Sequence, residues 1–329
     1  MGLKYDESLI DPEIRKLKIL GKMLPAVFTN TRTIKLFNKL DSIMLQGKCK
    51  IENVIYEQRW ITRKDGKRLR ICIYKPKNAT GNLPGLLWIH GGGYAIGLPE
   101  MDQKFISNFL ETADCVIVAP DYRLSVSEPY PAALDDCYAA LLWMKHNTEK
   151  LGIRSNQIMV GGESAGGGLA AALTLYVRDK GNVNISFQIP LYPMIDDRMI
   201  TKSSQNNYYP VWNSKMNYKG WSYYLGSMFQ TNDVPKYAAP ARETDYSNLP
   251  PACTFIGSLE PFRDEAIAYI EGLKEAGVDT FFHEYQGCYH GFDKIGEDSK
   301  IGREATRFLL DTFKYAIENY FSEQPPKKK

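Results

Sequence analysis

The chain of 329 residues lacks several things that would have fixed its class at once. It has no apolar run approaching the ~18 residues of a membrane span, and its first ten residues, MGLKYDESLI, are charged and carry no signal-peptide core. MGLKYD has Asp6 where a myristoylation site needs Ser or Thr. Charge of one sign is scarce: 41 basic against 38 acidic side chains leave +3, and the terminal PPKKK alone supplies three of the positives. Nucleic acid, which demands a basic patch, is therefore not an expected partner, and neither is a membrane. Six cysteines form no CxxC pair and sit in apolar runs such as DCVIVAP, which points to reduced core thiols and a cytoplasmic location. Only four histidines occur, without HExxH, so no metal site is expected.

What is present is a large apolar fraction, 44%, enough for one large α/β body or two smaller ones. Residues 1 to about 48 read as helices. DPEIRKLKILGKML opens with Asp11 as a cap and Pro12 at the first helical position. TIKLFNKLDSIMLQ repeats apolar residues at helical spacing (Ile34, Phe37, Leu40, Met44) and stops near Gly47. VIYEQRWITRKDGKRLRICIYKP reads as a hairpin turning at KDG. From residue 83, short apolar runs alternate with helical patterns, which calls for a mainly parallel sheet with helices on both faces. The alternation breaks between about 196 and 236, where aromatics crowd, and resumes with PACTFIGS. This divides the chain into an N-terminal helical segment (1–48), a first part of the body (49–195), an insert (196–236) and the rest of the body (237–329). The two excluded pieces are expected to form a lid near the carboxyl edge of the sheet, where open α/β sheets bind ligands.

Two glycine clusters carry the chemistry. In IMVGGESAGGGLAAALTL, Ser164 stands in G-x-S-x-G (Gly162 to Gly166), between a strand pattern and a helix pattern. Strand, sharp turn and helix with a serine at the tip form a nucleophile elbow. The rival reading of GGGLAA as a dinucleotide fingerprint fails, because those glycines lie inside the helix and no acid ends a strand about 20 residues on. The second cluster, WIHGGGYAIG, puts three glycines directly after an apolar run. Backbone N–H groups presented there can hold the alkoxide of a tetrahedral intermediate, the donors being Gly91 or Gly92 together with Ala165. His290, in GCYHGF just past a strand pattern, is the candidate general base. His90 is read as bracing the glycine loop, His146 as solvated and His283 as mid-strand. Glu260, leaving a strand end in GSLEPFRDE, is preferred to Asp264 as the acid that orients the imidazole. Glu163 is adjacent to the serine and projects elsewhere.

HGGGYAIG, DYRLSVSEPYPAALDD, GGESAGG, EPFRDE and YHGF, in this order between about residues 50 and 320, resemble the hormone-sensitive-lipase-like branch of the α/β-hydrolases. The resemblance implies an eight-stranded α/β-hydrolase sheet with a helical cap, cofactor-free ester hydrolysis, and Ser164, Glu260 and His290 as nucleophile, acid and base. Three positions depart from the pattern: GESAG where GDSAG is commoner, Glu260 where Asp is usual, and SVSE, near Glu128, where APEH is frequent. The branch includes receptors that lack the histidine, and His290 is present here. The expected activity is a serine carboxylesterase acting on a small-molecule ester with a short acyl chain. The aromatics Tyr208, Tyr209, Trp212, Tyr218, Trp221 and Tyr224 are expected to crowd its pocket. Amide hydrolysis by the same residues, and ligand binding without turnover, are the alternatives. Oligomeric state is left open, a homodimer included.

Overall fold

The computed structural model describes residues 5–17, 27–28 and 30–326. Expectations for the first four residues, for most of the KLKILGKML stretch and for the terminal lysines lie outside these. The hairpin forms as β1 (Val54–Thr62) and β2 (Arg68–Pro76), with Gly66 at φ +79° in the turn and the Arg63 amide donating to the Lys67 carbonyl. The apolar runs become β3 (Leu83–Ile89), β4 (Val116–Pro120), β5 (Ile153–Glu163), β6 (Phe187–Leu191), β7 (Ala252–Gly257) and β8 (Thr280–Tyr285). Together they make one eight-stranded sheet in the order β1-β2-β4-β3-β5-β6-β7-β8. Only β2 runs against its neighbours. β3, β4, β6 and β7 are buried along their whole length, as unbroken apolar runs in a doubly covered parallel sheet must be.

Among the described residues the α-helices with defined bounds are α1 (Pro12–Arg15), α2 (Thr31–Leu45), α3 (Gln103–Thr112), α4 (Ala132–His146), α5 (Thr148–Leu151), α6 (Ala165–Lys180), α7 (Ser214–Leu225), α8 (Arg263–Glu275), α9 (Phe292–Ile295) and α10 (Lys300–Asn319). Asp11 caps α1 through the Glu13 amide, and Asn30 caps α2 through the amides of Arg32 and Thr33. The apolar residues that mark α2 in the sequence divide between body and solvent. Ile34 is buried, but Leu40 and Met44 face solvent at 49% and 56% exposure. The body-facing side is instead completed by Asn38, which donates to the Ala95 carbonyl, and by buried Asp41. All six cysteines are free, and all but Cys49 are buried.

α7 and the loops around it form a helical cap over the carboxyl edge. They meet the N-terminal segment where the Tyr5 and Tyr209 rings pack 5.4 Å apart and Phe28 sets its ring edge-on to Trp212 at 5.1 Å. The strand order reverses direction at β3, with β4 on one side and β5 on the other, so a crevice opens at the carboxyl ends of β3 and β5.

A buried ion pair ties the hairpin to this edge. Arg70, 1% exposed, donates to both carboxylate oxygens of fully buried Glu100, at 2.6 and 3.0 Å. The same carboxylate also accepts from the Gly47 amide and the Tyr56 hydroxyl, which anchors the end of α2. Arg70 also donates to Asp121, Nε to Oδ2 at 2.9 Å, so loss of Glu100 leaves the guanidinium with one carboxylate instead of two, a smaller penalty than the about 3–5 kcal/mol of a buried charge left wholly unpaired. Glu100→Ala is expected to lose about 1–3 kcal/mol in urea unfolding; a loss below about 1 kcal/mol would show that Asp121 alone satisfies Arg70.

Candidate active site

Ser164 ends the tight turn between β5 and α6, at φ 57° and ψ −119°. That conformation is sparsely populated by any residue with a Cβ. It is held from both sides: the Ser164 amide donates to the Leu191 carbonyl, and its own carbonyl accepts from the amides of Gly168 and Met194. The flanking glycines exist because backbone passes beneath. A Cβ on Gly166 would lie 2.0 Å from the Ile89 carbonyl oxygen, and one on Gly162 would lie 2.5 Å from the same atom. The result is a serine side chain that reaches the floor of a small cleft, with Gly91–Gly93, Met101, Trp212, His290 and Lys294 among its walls.

His290 follows β8 and stands 2.8 Å from the serine, Nε2 to Oγ. Glu260 follows β7 and stands 2.6 Å from the other ring nitrogen, Oε2 to Nδ1. A carboxylate can only accept, so Nδ1 carries the proton and Nε2 is left to accept from the Ser164 hydroxyl. The second Glu260 oxygen accepts from the Gly257 amide at 2.8 Å, which stops the carboxylate from swinging away. Tyr192 and Phe262 stand edge-on to the imidazole at 5.2 and 5.1 Å. Neither was anticipated from the sequence, although Phe262 lies within EPFRDE. Asp264, the rejected acid, instead accepts from the Ser203 amide and from Arg263.

The glycine loop after β3 is built with equal care. His90 directs Nδ1 to the Gly91 carbonyl at 2.8 Å and stacks on Tyr122 at 4.2 Å. Its full burial depresses the imidazole pKa, so it stays neutral. The Gly91 amide, one of the two loop donors expected, is already engaged: it donates to Glu163 Oε1 at 3.2 Å. The amides of Gly92 and Ala165 have no acceptor among the described residues.

Glu163 does project away from His290, and it has a task of its own. Besides the Gly91 amide it accepts from Lys294 Nζ at 3.0 Å, and Lys294 also donates to Asp102 at 2.9 Å. Burial works against the Lys294 charge, but the two carboxylates outweigh it and raise its pKa. This carboxylate–ammonium–carboxylate bridge was missed in the sequence, where Lys294 carries no motif beyond standing four residues after His290. His146 and His283 are exposed and remote from the cleft, and Glu128 pairs with Arg123 outside it.

The expected aromatic crowding is corrected by the structure. Of the six aromatics named, only Trp212 lines the cleft. Tyr208 and Tyr218 are solvent-facing at 63% and 47% exposure, and Tyr209 turns to the N-terminal segment. Trp221 and Tyr224 are buried against Tyr94, with Tyr224 stacked on it at 3.9 Å. The helical period scatters residues 208–224 around α7 and its approach, so composition alone could not place them on one wall.

Comparison with known proteins agrees with this geometry. A family model described as alpha/beta hydrolase fold matches residues 86–294. The chain belongs to this family. It is 33% identical to Esterase LipI of Mycobacterium tuberculosis over 64% of this chain and 65% of that protein. It is 31% identical to Carboxylesterase NlhH of the same organism over 75% of this chain and 78% of the relative. Among solved structures, one titled Bacterial Heroin Esterase superposes with a TM-score of 0.85 at 35% identity, covering 94% of this chain and 98% of the other. With the Ser164–His290–Glu260 geometry, these relationships make the chain a serine hydrolase with carboxylesterase chemistry.

Two outcomes follow from the surroundings of the triad. Glu163 touches no reacting atom but fixes the glycine loop, so Glu163→Ala should lower kcat about tenfold to hundredfold and change KM little. That is less than the ~10²–10³ of deleting an oxyanion donor, and an equal rise in KM would assign Glu163 to substrate binding instead. Asp293, beside Lys294, is buried, which pushes its carboxyl up to about 7 from an ordinary 3.8. The folded state therefore favours the protonated acid, a contribution complete below about pH 4 and lost as pH rises towards 7. Asp293→Asn should gain unfolding free energy relative to the parent chain as pH goes from 4 to 7; a pH-independent difference would show that Asp293 does not titrate there.

Proposed function

We propose that the protein hydrolyses esters of short acyl chains through an acyl-enzyme. The observation that carries this reading is the size of the cleft above Ser164: about 180 Å³, against the 300–1,000 Å³ typical of sites for drug-sized ligands. Trp212 closes one side. Its ring is pressed so close to the glycine loop that a Cβ on Gly93 would lie 2.1 Å from it.

In this reading Ser164 Oγ attacks the ester carbonyl as His290 Nε2 takes its proton, and Glu260 stabilises the imidazolium. The carbonyl oxygen becomes an anion held by the amides of Gly92 and Ala165, the latter at the positive end of α6. Gly91 serves by holding the loop rather than by donating. His290 then protonates the leaving alcohol and activates water to release the acid. The substrate is a small-molecule ester, no cofactor takes part, and residues 1–48 and 196–236 act together as the cap over a body of 49–195 and 237–329. The contacts of Tyr5 with Tyr209 and of Phe28 with Trp212 support that division. Six unpaired thiols suit a reducing compartment such as the cytoplasm.

A p-nitrophenyl ester series is the test. Turnover should peak between acetyl and butyryl and fall at least tenfold by octanoyl, and Ser164→Ala should abolish it. Equal rates on long chains would overturn the size argument, and a fully active Ser164→Ala would overturn the nucleophile.

A further inference from the structure

α2 is apolar on two opposite sides. One side meets the body through Ile34. On the other, Leu36, Leu40, Ile43 and Met44 are 58%, 49%, 66% and 56% exposed. Their i, i+4, i+7, i+8 spacing places them on a single stripe. Single exposed apolar side chains need no explanation, but four large neighbours forming a patch on the order of a few hundred Å² mark an interaction surface.

The charges around the stripe say what it meets. Arg32, Lys35 and Lys39 are exposed along its border, and Lys48 and Lys50 follow. None of the five makes an ion pair among the described residues. The one acid of α2, Asp41, is turned inward, where burial raises its pKa. Residues 30–50 thus carry five basic side chains against one acid, an excess larger than the +3 of the whole chain. The helix that carries the stripe is fixed to the segment beside the cleft: α2 and the turn after it bond to Ala95 and Glu100, and Met101, a cleft residue in that segment, is 38% exposed. A second copy of the chain is a poor occupant, because a twofold contact presents the same face on both sides and brings two basic rows together.

We propose that the outer face of α2 docks the protein on an anionic lipid surface. Leu36, Leu40, Ile43 and Met44 enter the boundary between headgroups and acyl chains, and Arg32, Lys35 and Lys39 meet the phosphates. The expectation of no membrane partner rested on the lack of an apolar span; among the described residues no helix is long and apolar enough to cross a membrane, and this surface lies on a bilayer rather than across it. The inference does not depend on the hydrolytic reading.

The test is co-sedimentation of the full chain with phosphatidylcholine vesicles, with and without phosphatidylglycerol. Binding to the anionic vesicles should be at least tenfold tighter than to neutral ones and should weaken as salt rises. Leu40→Glu/Ile43→Glu, on exposed positions, should cut it at least tenfold, and Lys35→Glu/Lys39→Glu should abolish the preference for anionic lipid. Turnover of soluble p-nitrophenyl acetate should be unchanged in both. Equal indifference to both vesicle types, or undiminished binding by Leu40→Glu/Ile43→Glu, would overturn the proposal. So would a dimer in sedimentation velocity that Leu40→Glu/Ile43→Glu dissolves.

Discussion

The site depends on how closely two strand ends pass. The β3 chain, at Ile89, runs directly beneath the first turn of α6, where only a hydrogen on Gly166 leaves room for the Ile89 carbonyl. That crossing sets the glycine loop and the serine elbow side by side, where the amides of Gly92 and Ala165 have no acceptor among the described residues. It also forces Ser164 into its left-handed backbone conformation, and the amide and carbonyl bonds to Leu191, Gly168 and Met194 hold it there. A side chain that must both reach the cleft and stay fixed is obtained by straining the backbone and surrounding it with hydrogen bonds. Triad, glycine loop and cleft meet at this crossing, since β7 and β8 deliver Glu260 and His290 to the same edge.

Glu163 extends the constraint outward. Its position on the elbow points it away from the imidazole and towards the glycine loop, where it holds the Gly91 amide and one hydrogen of Lys294. Lys294 lies one turn after His290 and reaches Asp102, which also accepts from the Trp88 indole. The elbow after β5, the loop after β3 and the helix after the catalytic histidine are thereby joined by a single network of charges. Three segments distant along the chain cannot drift apart without leaving a carboxylate or an ammonium unpaired at the cleft, and the penalty for that is large where water is scarce.

Much of this was legible in the sequence because it is local. The apolar runs of the body became strands, β3, β4, β6 and β7 fully buried and the edge strand β8 only partly so, and the turn chemistry of KDG produced the hairpin. G-x-S-x-G marked an elbow because the glycines answer a steric demand that only that turn makes. Glu260 could be preferred to Asp264 because an acid leaving a strand end stands at the sheet edge, whereas one inside a first helical turn has the helix dipole and nearby amides to satisfy. What escaped depends on rotation about helix axes and on partners far apart in sequence. The aromatics of the insert were expected to crowd the pocket, yet α7 and the loop before it distribute their rings between solvent, the N-terminal segment and Tyr94, and of the six only Trp212 lines the cleft. Gly91 could not be separated from Gly92 as a donor, because the acceptor that engages its amide lies 72 residues away.

α2 shows the same limit from the other direction. Its apolar period identified the helix but not its buried face, because a helix with Ile34, Phe37, Leu40 and Met44 also carries Leu36 and Ile43, and periodicity cannot say which stripe the body takes. The choice is made by polar bonds: Asn38 to Ala95, and the Gly47 amide to Glu100. Once these orient the helix, the larger stripe has to face outward together with its basic border. The bonds that secure the cap beside the glycine loop are therefore the ones that expose the lipid-compatible face, so catalytic geometry and surface attachment rest on one helix rotation. A change that rolled α2 to bury Leu40 and Met44 would withdraw Asn38 from Ala95, just beyond the glycine loop, and loosen the backbone that follows that loop.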